Sequence, residues 1–263
     1  MKIQVLSDLH LEVTPFDIKV HEEAEVLVLA GDIIALQNNC KKLYCLENII
    51  KKVNIPIVYI FGNHENYGYG RIKDNVKIVK TLEVKYPHFH FLDNETWIYK
   101  DVEFIGSTLW TDFELAPSKV YFVSQVEMAI NDFNLILSDN VGHLTVRDVI
   151  SMNIVARRFI DSAVRVKNGL KKVVVTHFVP TEKAIAPQYV GNSLNPYFVC
   201  DCENLMVGVH TWIFGHTHAS FDFMLTKTHE SGHVMVNTHM VCNPRGYNSE
   251  NKNGFDKMKL IEI

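Results

Sequence analysis

Five apolar runs of strand length each stop at a small residue and pass directly into metal-ligand types. They are Ile3–Leu6 into Ser7-Asp8-Leu9-His10, Val26–Ala30 into Gly31-Asp32, Ile57–Phe61 into Gly62-Asn63-His64-Glu65, Val173–Val175 into Thr176-His177, and Trp212–Phe214 into Gly215-His216-Thr217-His218. Short runs rich in β-branched residues read as strands buried on both faces. In open α/β sheets the carboxyl ends of such strands gather where ligands bind. Five strand ends would therefore deliver two Asp, one Asn and several His side chains to one place. That set describes a divalent-metal site, and one with enough ligands for two ions.

The rest of the chain accommodates such a core. Its 263 residues, 47% hydrophobic and 21% charged, suit one large α/β domain or two small ones. Helical patterns run from Leu36 to about Val53 and from about Arg71 to Lys85, and short strands follow near 89–91, 96–99 and 102–106. The stretch from about Val120 to Lys167 reads as two or three helices, with Phe122, Val126, Met128, Ile130, Phe133 and Ile136 on a packed side and Thr145 as an N-cap. Late strands are expected near 220–225, 233–237 and 257–263. No linker composition interrupts the chain, so we expect one domain over 1–263 with a helical insertion around 112–170.

Net charge is −4 and the sequence pI near 6.3, which does not point to an extended nucleic-acid or anionic-membrane surface. Five cysteines, odd in number and without paired CxxC spacing, read as free thiols in a reducing compartment. Cys200-Asp201-Cys202 has the wrong spacing for half a zinc site. A candidate ligand at Asp8 leaves no room for a cleavable leader before the first strand, and no apolar stretch reaches the roughly 18 residues that span a bilayer. A soluble, cytoplasmic protein with no membrane partner is expected.

Asp, Asn and neutral His together suit borderline ions (manganese, iron, nickel or zinc) better than calcium or magnesium, with manganese our first choice. Gly31, Gly62 and Gly215 each precede a candidate ligand, where a missing side chain lets the backbone approach an ion closely. Asp32 is the best bridge, since ions about 3.5–4 Å apart need a shared ligand. Two divalent ions less two aspartates leave about +2, a charge that attracts phosphate oxygens and lowers the pKa of bound water. Any one segment alone would be a commonplace turn. All five in one chain are not.

At these residues the chain resembles the calcineurin-like metallophosphoesterase superfamily, whose pattern runs D-x-H, G-D, G-N-H-[DE], a strand ending in His, and G-H-x-H. The blocks here are Asp8-Leu9-His10, Gly31-Asp32, Gly62-Asn63-His64-Glu65, Thr176-His177 and Gly215-His216-Thr217-His218. Ser7–Glu12, Thr108–Phe113 and Asn243–Tyr247 further resemble a small, single-domain microbial branch. The resemblance implies a four-layer α/β/β/α sandwich of two mixed sheets flanked by helices, with the site at the strand ends. It implies one ion held by Asp8, His10, Asp32 and His218, and a second by Asp32, Asn63, His177 and His216. It implies in-line attack on phosphorus by a hydroxide shared between the ions, with His64 stabilising the transition state or protonating the leaving oxygen. Serine/threonine protein phosphatases carry Asp-Arg after their Gly-Asp motif, and Ile33–Leu36 has no such Arg.

The expected activity is hydrolysis of phosphate mono- or diesters, with a small molecule such as a nucleotide as partner. A nuclease is the nearest rival, disfavoured by the acidic balance. A non-catalytic scaffold is the other alternative, and an intact ligand set argues against it. Arg245, as a phosphate clamp, and Trp110, as a pocket wall, are candidate substrate contacts, each balanced by an ordinary structural role. Glu65 is placed to orient a ligand, and Asp112 reads as a cap. Tyr189, Asn192 and Asn195 lie on the loop after His177, where substrate contacts are natural. Specificity should lie in 107–170 and 180–198, and oligomeric state is left open.

Overall fold

A computed structural model describes residues 1–36, 40–68, 70–228, 234–250 and 253–263. The first half of the chain alternates strand and helix: β1 (Lys2–Leu6), β2 (Val26–Ala30), α1 (Cys40–Lys52), β3 (Ile57–Ile60), α2 (Ile72–Lys85) and β4 (Phe89–Phe91). β1 to β4 pair in parallel, and β11 (Leu260–Glu262) closes the edge antiparallel to β1, giving the order β11-β1-β2-β3-β4. The second sheet runs β5 (Glu95–Tyr99), β6 (Val102–Ser107), β7 (Lys171–Thr176), β8 (Val209–Phe214), β10 (Val234–Cys242) and β9 (Phe221–Thr228). Its inner four strands are parallel and both edges antiparallel. Both sheets are therefore mixed.

Strand alternation explains why the five runs are apolar without a polar face. In β2, Val26, Val28 and Ala30 pack between the sheets with Val173 and Val175 of β7 and Ile213 of β8. The intervening Leu27 and Leu29 point outward onto Leu46 and Ile50 of α1 and Val79 and Leu82 of α2. On the other side Val174, Trp212 and Phe214 pack with Val149, Ala156 and Ile160 of α5 (Val146–Val164). The layers run helix, sheet, sheet, helix, as expected from the resemblance.

Between β6 and β7 lie α3 (Lys119–Ala129), α4 (Asp132–Leu135) and α5. Thr145 caps α5 through a reciprocal box with Asp148, as its position before the helix predicts. The packed side expected across this region holds at Phe122, Val126, Phe133 and Ile136, but Met128 is 81% exposed. It stands two residues from Val126, about 200° around the helix, so the two cannot share a face. The late strands begin at Phe221, Val234 and Leu260. Residues 37–39 of the expected first helix and the expected strand start at His233 lie outside the described residues. Among the described residues no helix is long and apolar enough to cross a membrane, and Cys45, Cys200, Cys202 and Cys242 are free thiols.

Candidate metal centre

Five parallel strands deliver the candidate ligands to one edge of the sandwich, and the backbone there is unusual. Asp8, His10, Asp32, His216 and His218 all adopt positive φ, between 44° and 69°. Left-handed backbone is uncommon for residues with side chains and clusters at functional sites. The turns are stitched to one another: Asp8 N donates to Gly31 O, His10 N to Asp32 O, and Gly215 N to His177 O. Side chains complete the lattice, with Asp8 Oδ1 accepting from His216 N at 2.9 Å and Asp32 Oδ1 from His64 N at 2.8 Å.

Two glycines make this closeness possible. Gly31 has φ of 82°, and a Cβ there would sit 2.5 Å from His177 Nδ1. At Gly62 a Cβ would fall 2.7 Å from both Asp32 N and His177 Nε2 and closer still to the Asp32 carboxylate. Any side chain at Gly62 would occupy the space between two candidate ligands.

Ring orientation follows from what holds the outer nitrogen of each imidazole. His177 Nδ1 donates to Ala30 O at 3.0 Å, His10 Nδ1 to Glu12 at 3.2 Å and His218 Nδ1 to Glu250 at 2.8 Å. Each Nε2 is thereby turned inward, the orientation that metal-binding histidines use. His10 Nε2 and His218 Nε2 face each other at 3.0 Å. Asp32 Oδ2 lies 3.3 Å from His177 Nε2 and 3.9 Å from His10 Nε2, midway between the two groups. Asn63 donates its amide to Asp132 Oδ1 at 2.9 Å, which leaves Asn63 Oδ1 facing His177 Nε2 at 3.2 Å.

Whether these residues suit a metal can be judged from their own bonding. Asp8 Oδ2 and His216 Nε2 are buried electron-pair donors without a hydrogen-bond partner. Among the described residues, Asp8 and Asp32 pair with no Lys or Arg, although both are buried. Buried carboxylates whose ion-pair partners are histidines alone, beside orphaned electron-pair donors, are costly, and a cation would satisfy both. Candidate ligand atoms form three overlapping groups, each within 4.8 Å: Asp8, His10 and His218; His10, Asp32 and His64; and Asp32, His177 and His216. His10 and Asp32 are shared, so the groups form one continuous cluster with Asp32 at its centre. The donor set fits a pair of divalent ions.

Electrostatics separate the histidines. Burial opposes the charged form of His64, but the Asp32 and Glu12 carboxylates outweigh it and hold the ring up to about 9. Burial likewise opposes the charge on His177, and Asp32 holds it up to about 10. His216 is driven below its usual range by burial and the neighbouring His177. Glu65 accepts from Asp32 N, Ile33 N, Gly62 N and the Tyr59 hydroxyl, locking two ligand-bearing turns together. Burial pushes its carboxyl up to about 7.

Several neighbours of the cluster carry no sequence signal of their own. Glu12 Oε1 accepts from both His10 Nδ1 and His64 Nδ1, while Oε2 accepts from Ala35 N. Asp132, in α4, accepts from Asn63, Tyr67 and Tyr197. Tyr247 stacks on His10, with its hydroxyl 3.4 Å from His64 Nε2. Glu12 and Tyr247 end the Ser7–Glu12 and Asn243–Tyr247 segments that carry the branch resemblance, which assigned neither a role.

A cavity of about 380 Å³ opens from the cluster and is lined on that side by Asp32, Asn63, His64, His216 and His218. Tyr189, Asn192 and Asn195 also line it. The two candidate substrate contacts lie elsewhere. Arg245 spends its guanidinium on the carbonyls of Leu9, Thr14 and Pro15 and covers Phe16. Trp110 is 4% exposed and packs on Phe178 in the core. Neither lines the cavity. Asp112 caps Glu114 N and pairs with Arg157.

Comparison with known proteins converges on one family. The family model described as Calcineurin-like phosphoesterase matches residues 1–220. The uncharacterized protein L509 of Acanthamoeba polyphaga mimivirus is 26% identical over 290 residues, covering 99% of this chain and 96% of that relative. Among solved structures, phosphopantetheinyl hydrolase (PptH) from Mycobacterium tuberculosis superposes with a TM-score of 0.66 at 15% identity, covering 99% of this chain and 95% of that one. The protein TT1561 of Thermus thermophilus does so with a TM-score of 0.50 at 9% identity, covering 92% and 88%. At such identities the structural likeness is one of fold.

Proposed function

Because the chain belongs to the calcineurin-like phosphoesterase family, we propose that it is a hydrolase of phosphate mono- or diesters whose centre uses two divalent ions, manganese the first choice. Asp8, His10, Asp32 and His218 would hold one ion, and Asp32, Asn63, His177 and His216 the other. The observation that carries this reading is the position of Asp32 Oδ2 between His10 Nε2 and His177 Nε2, the place of a shared ligand. When bound, two such ions supply a water of lowered pKa and positive charge for phosphoryl oxygens.

The chain's own groups do the rest. The cavity beside the cluster receives the ester and keeps bulk water from its alcohol side. Water attacks phosphorus, the bond from phosphorus to the alcohol oxygen breaks, and that oxygen takes a proton. His64 is the donor we favour: Glu12 fixes its Nδ1, and the residue lines the cavity with Nε2 free of that contact. An imidazole oriented by a carboxylate and lining the cavity suits general-acid catalysis.

The direct test is turnover of p-nitrophenyl phosphate and bis-p-nitrophenyl phosphate by manganese-loaded protein. Asp32→Ala should lower the rate by more than about 10³-fold, since both ions lose a ligand. Near-normal turnover in that variant would break the two-ion reading.

A further inference from the structure

The cavity carries information about substrate that the metal cluster does not. Part of its wall is apolar, built by Ile130 from the turn between α3 and α4 and by Ile185, Leu194 and Phe198 from the loop after β7, the Phe198 ring lying 5.0 Å from that of His216. Polar groups beside that apolar lining include the uncharged Asn131, Tyr189 and Asn192. Among the described residues that line the cavity there is no Lys or Arg. Beyond the cluster itself, the carboxylates that line it are Asp132 and Glu250, both of the sign that repels phosphate.

Among the described residues, two cations close to the lining in sequence are engaged elsewhere. Lys183, at the start of the loop, pairs with Glu203 at 3.5 Å. Arg245 is spent on backbone carbonyls, as described above. A second phosphate or a carboxylate carried into this cavity would lose its water and meet apolar carbon, amides and two acidic residues. Burying an anion without a partner is strongly unfavourable. An apolar stem would instead gain from leaving water, in a volume of about 380 Å³ that is typical of small-molecule sites.

We infer that the cavity selects phosphate esters whose alcohol is neutral and has an apolar stem, and rejects alcohols that carry a second anion. The inference rests on the phosphoesterase reading and deepens it. One anionic group is taken by the metal cluster, and the remainder of the substrate is held by carbon contacts and neutral hydrogen bonds. Nucleoside polyphosphates and nucleic-acid strands, which carry further phosphates into the same space, are disfavoured.

The test measures competition. The manganese-loaded protein hydrolyses whichever p-nitrophenyl ester it accepts, while methyl phosphate, hexyl phosphate and a six-carbon alkyl phosphate ending in a carboxylate compete. Hexyl phosphate should inhibit at least ~10-fold better than methyl phosphate, because each buried methylene strengthens binding. The carboxylate-terminated chain should lose that gain. Ile185→Lys, shown by a circular-dichroism melt to be folded, should shift the ratio of the two six-carbon ligands toward the carboxylate by about 10-fold or more. Equal inhibition by all three ligands, or preference for the carboxylate in the unaltered protein, would overturn the inference and leave the phosphoesterase reading standing. An unchanged ratio in folded Ile185→Lys would overturn it too. Absence of turnover of both p-nitrophenyl esters removes the phosphoesterase reading and this inference with it.

Discussion

A free imidazole titrates near 6.5, yet between Asp32 and Glu12 the His64 ring keeps its proton up to about 9. The acid role proposed for it can be isolated by the choice of leaving group. His64→Gln should cost roughly 10²–10⁴-fold when an alkoxide leaves. The cost should be much smaller for p-nitrophenolate, which departs without a proton. Measured kcat/KM for an alkyl ester and a p-nitrophenyl ester checks this, and equal losses would show that His64 acts by charge alone. The strand-end residues that the structure gathers into one cluster were legible in the sequence because they follow buried strands directly. Glu12 was not, because its function depends on reaching His64, 52 residues away. Arg245 shows the opposite failure: a guanidinium in a polar loop suggests a phosphate clamp, while three backbone carbonyls had the prior claim.

At the scale of elements, strands and helices were readable wherever periodicity was strong, and the cap of α5 was readable from Thr145. The meaning of α4 was not. This helix spans only Asp132–Leu135, yet it holds Asp132 against Asn63 at 2.9 Å and ties the insertion to the candidate metal centre. No local pattern encodes a contact over 69 residues. Asp132→Ala should weaken manganese binding by about 10–100-fold, as loss of a partner behind a metal ligand does. Titration followed by calorimetry, with circular dichroism to confirm folding, checks this; unchanged affinity in a folded variant would contradict it. A second test lies at the edge of the first sheet, where His90 of β4 stacks on Trp97 of β5 with ring centroids 3.9 Å apart. Burial, with help from His88, pushes His90 down to about 4 from 6.5. The unfolded chain therefore binds the proton more readily, and this residue's contribution falls as pH drops from about 6.5 toward 4. His90→Phe keeps the stacking and removes the titration. Its stability relative to the parent, from urea midpoints, should rise as pH is lowered over that range; a constant difference would contradict the assignment.

For the whole molecule, two mixed sheets face each other across a common core and bring five distant turns to one edge. The apolar runs made that architecture legible, since strands without a polar face must be covered on both sides. The shape of the cavity was not legible, because part of its wall comes from the insertion and the loop after β7, which have no repeating pattern. Both features meet at the cluster around Asp32, where the orphaned Asp8 Oδ2 and His216 Nε2 and two buried carboxylates facing histidines suit cations. The most direct test is elemental analysis of protein loaded with manganese and freed of excess metal by gel filtration. The expected result is about two manganese ions per chain, falling below one in Asp32→Ala; a parent protein that retains none, or an Asp32→Ala variant that still retains two, would contradict the account.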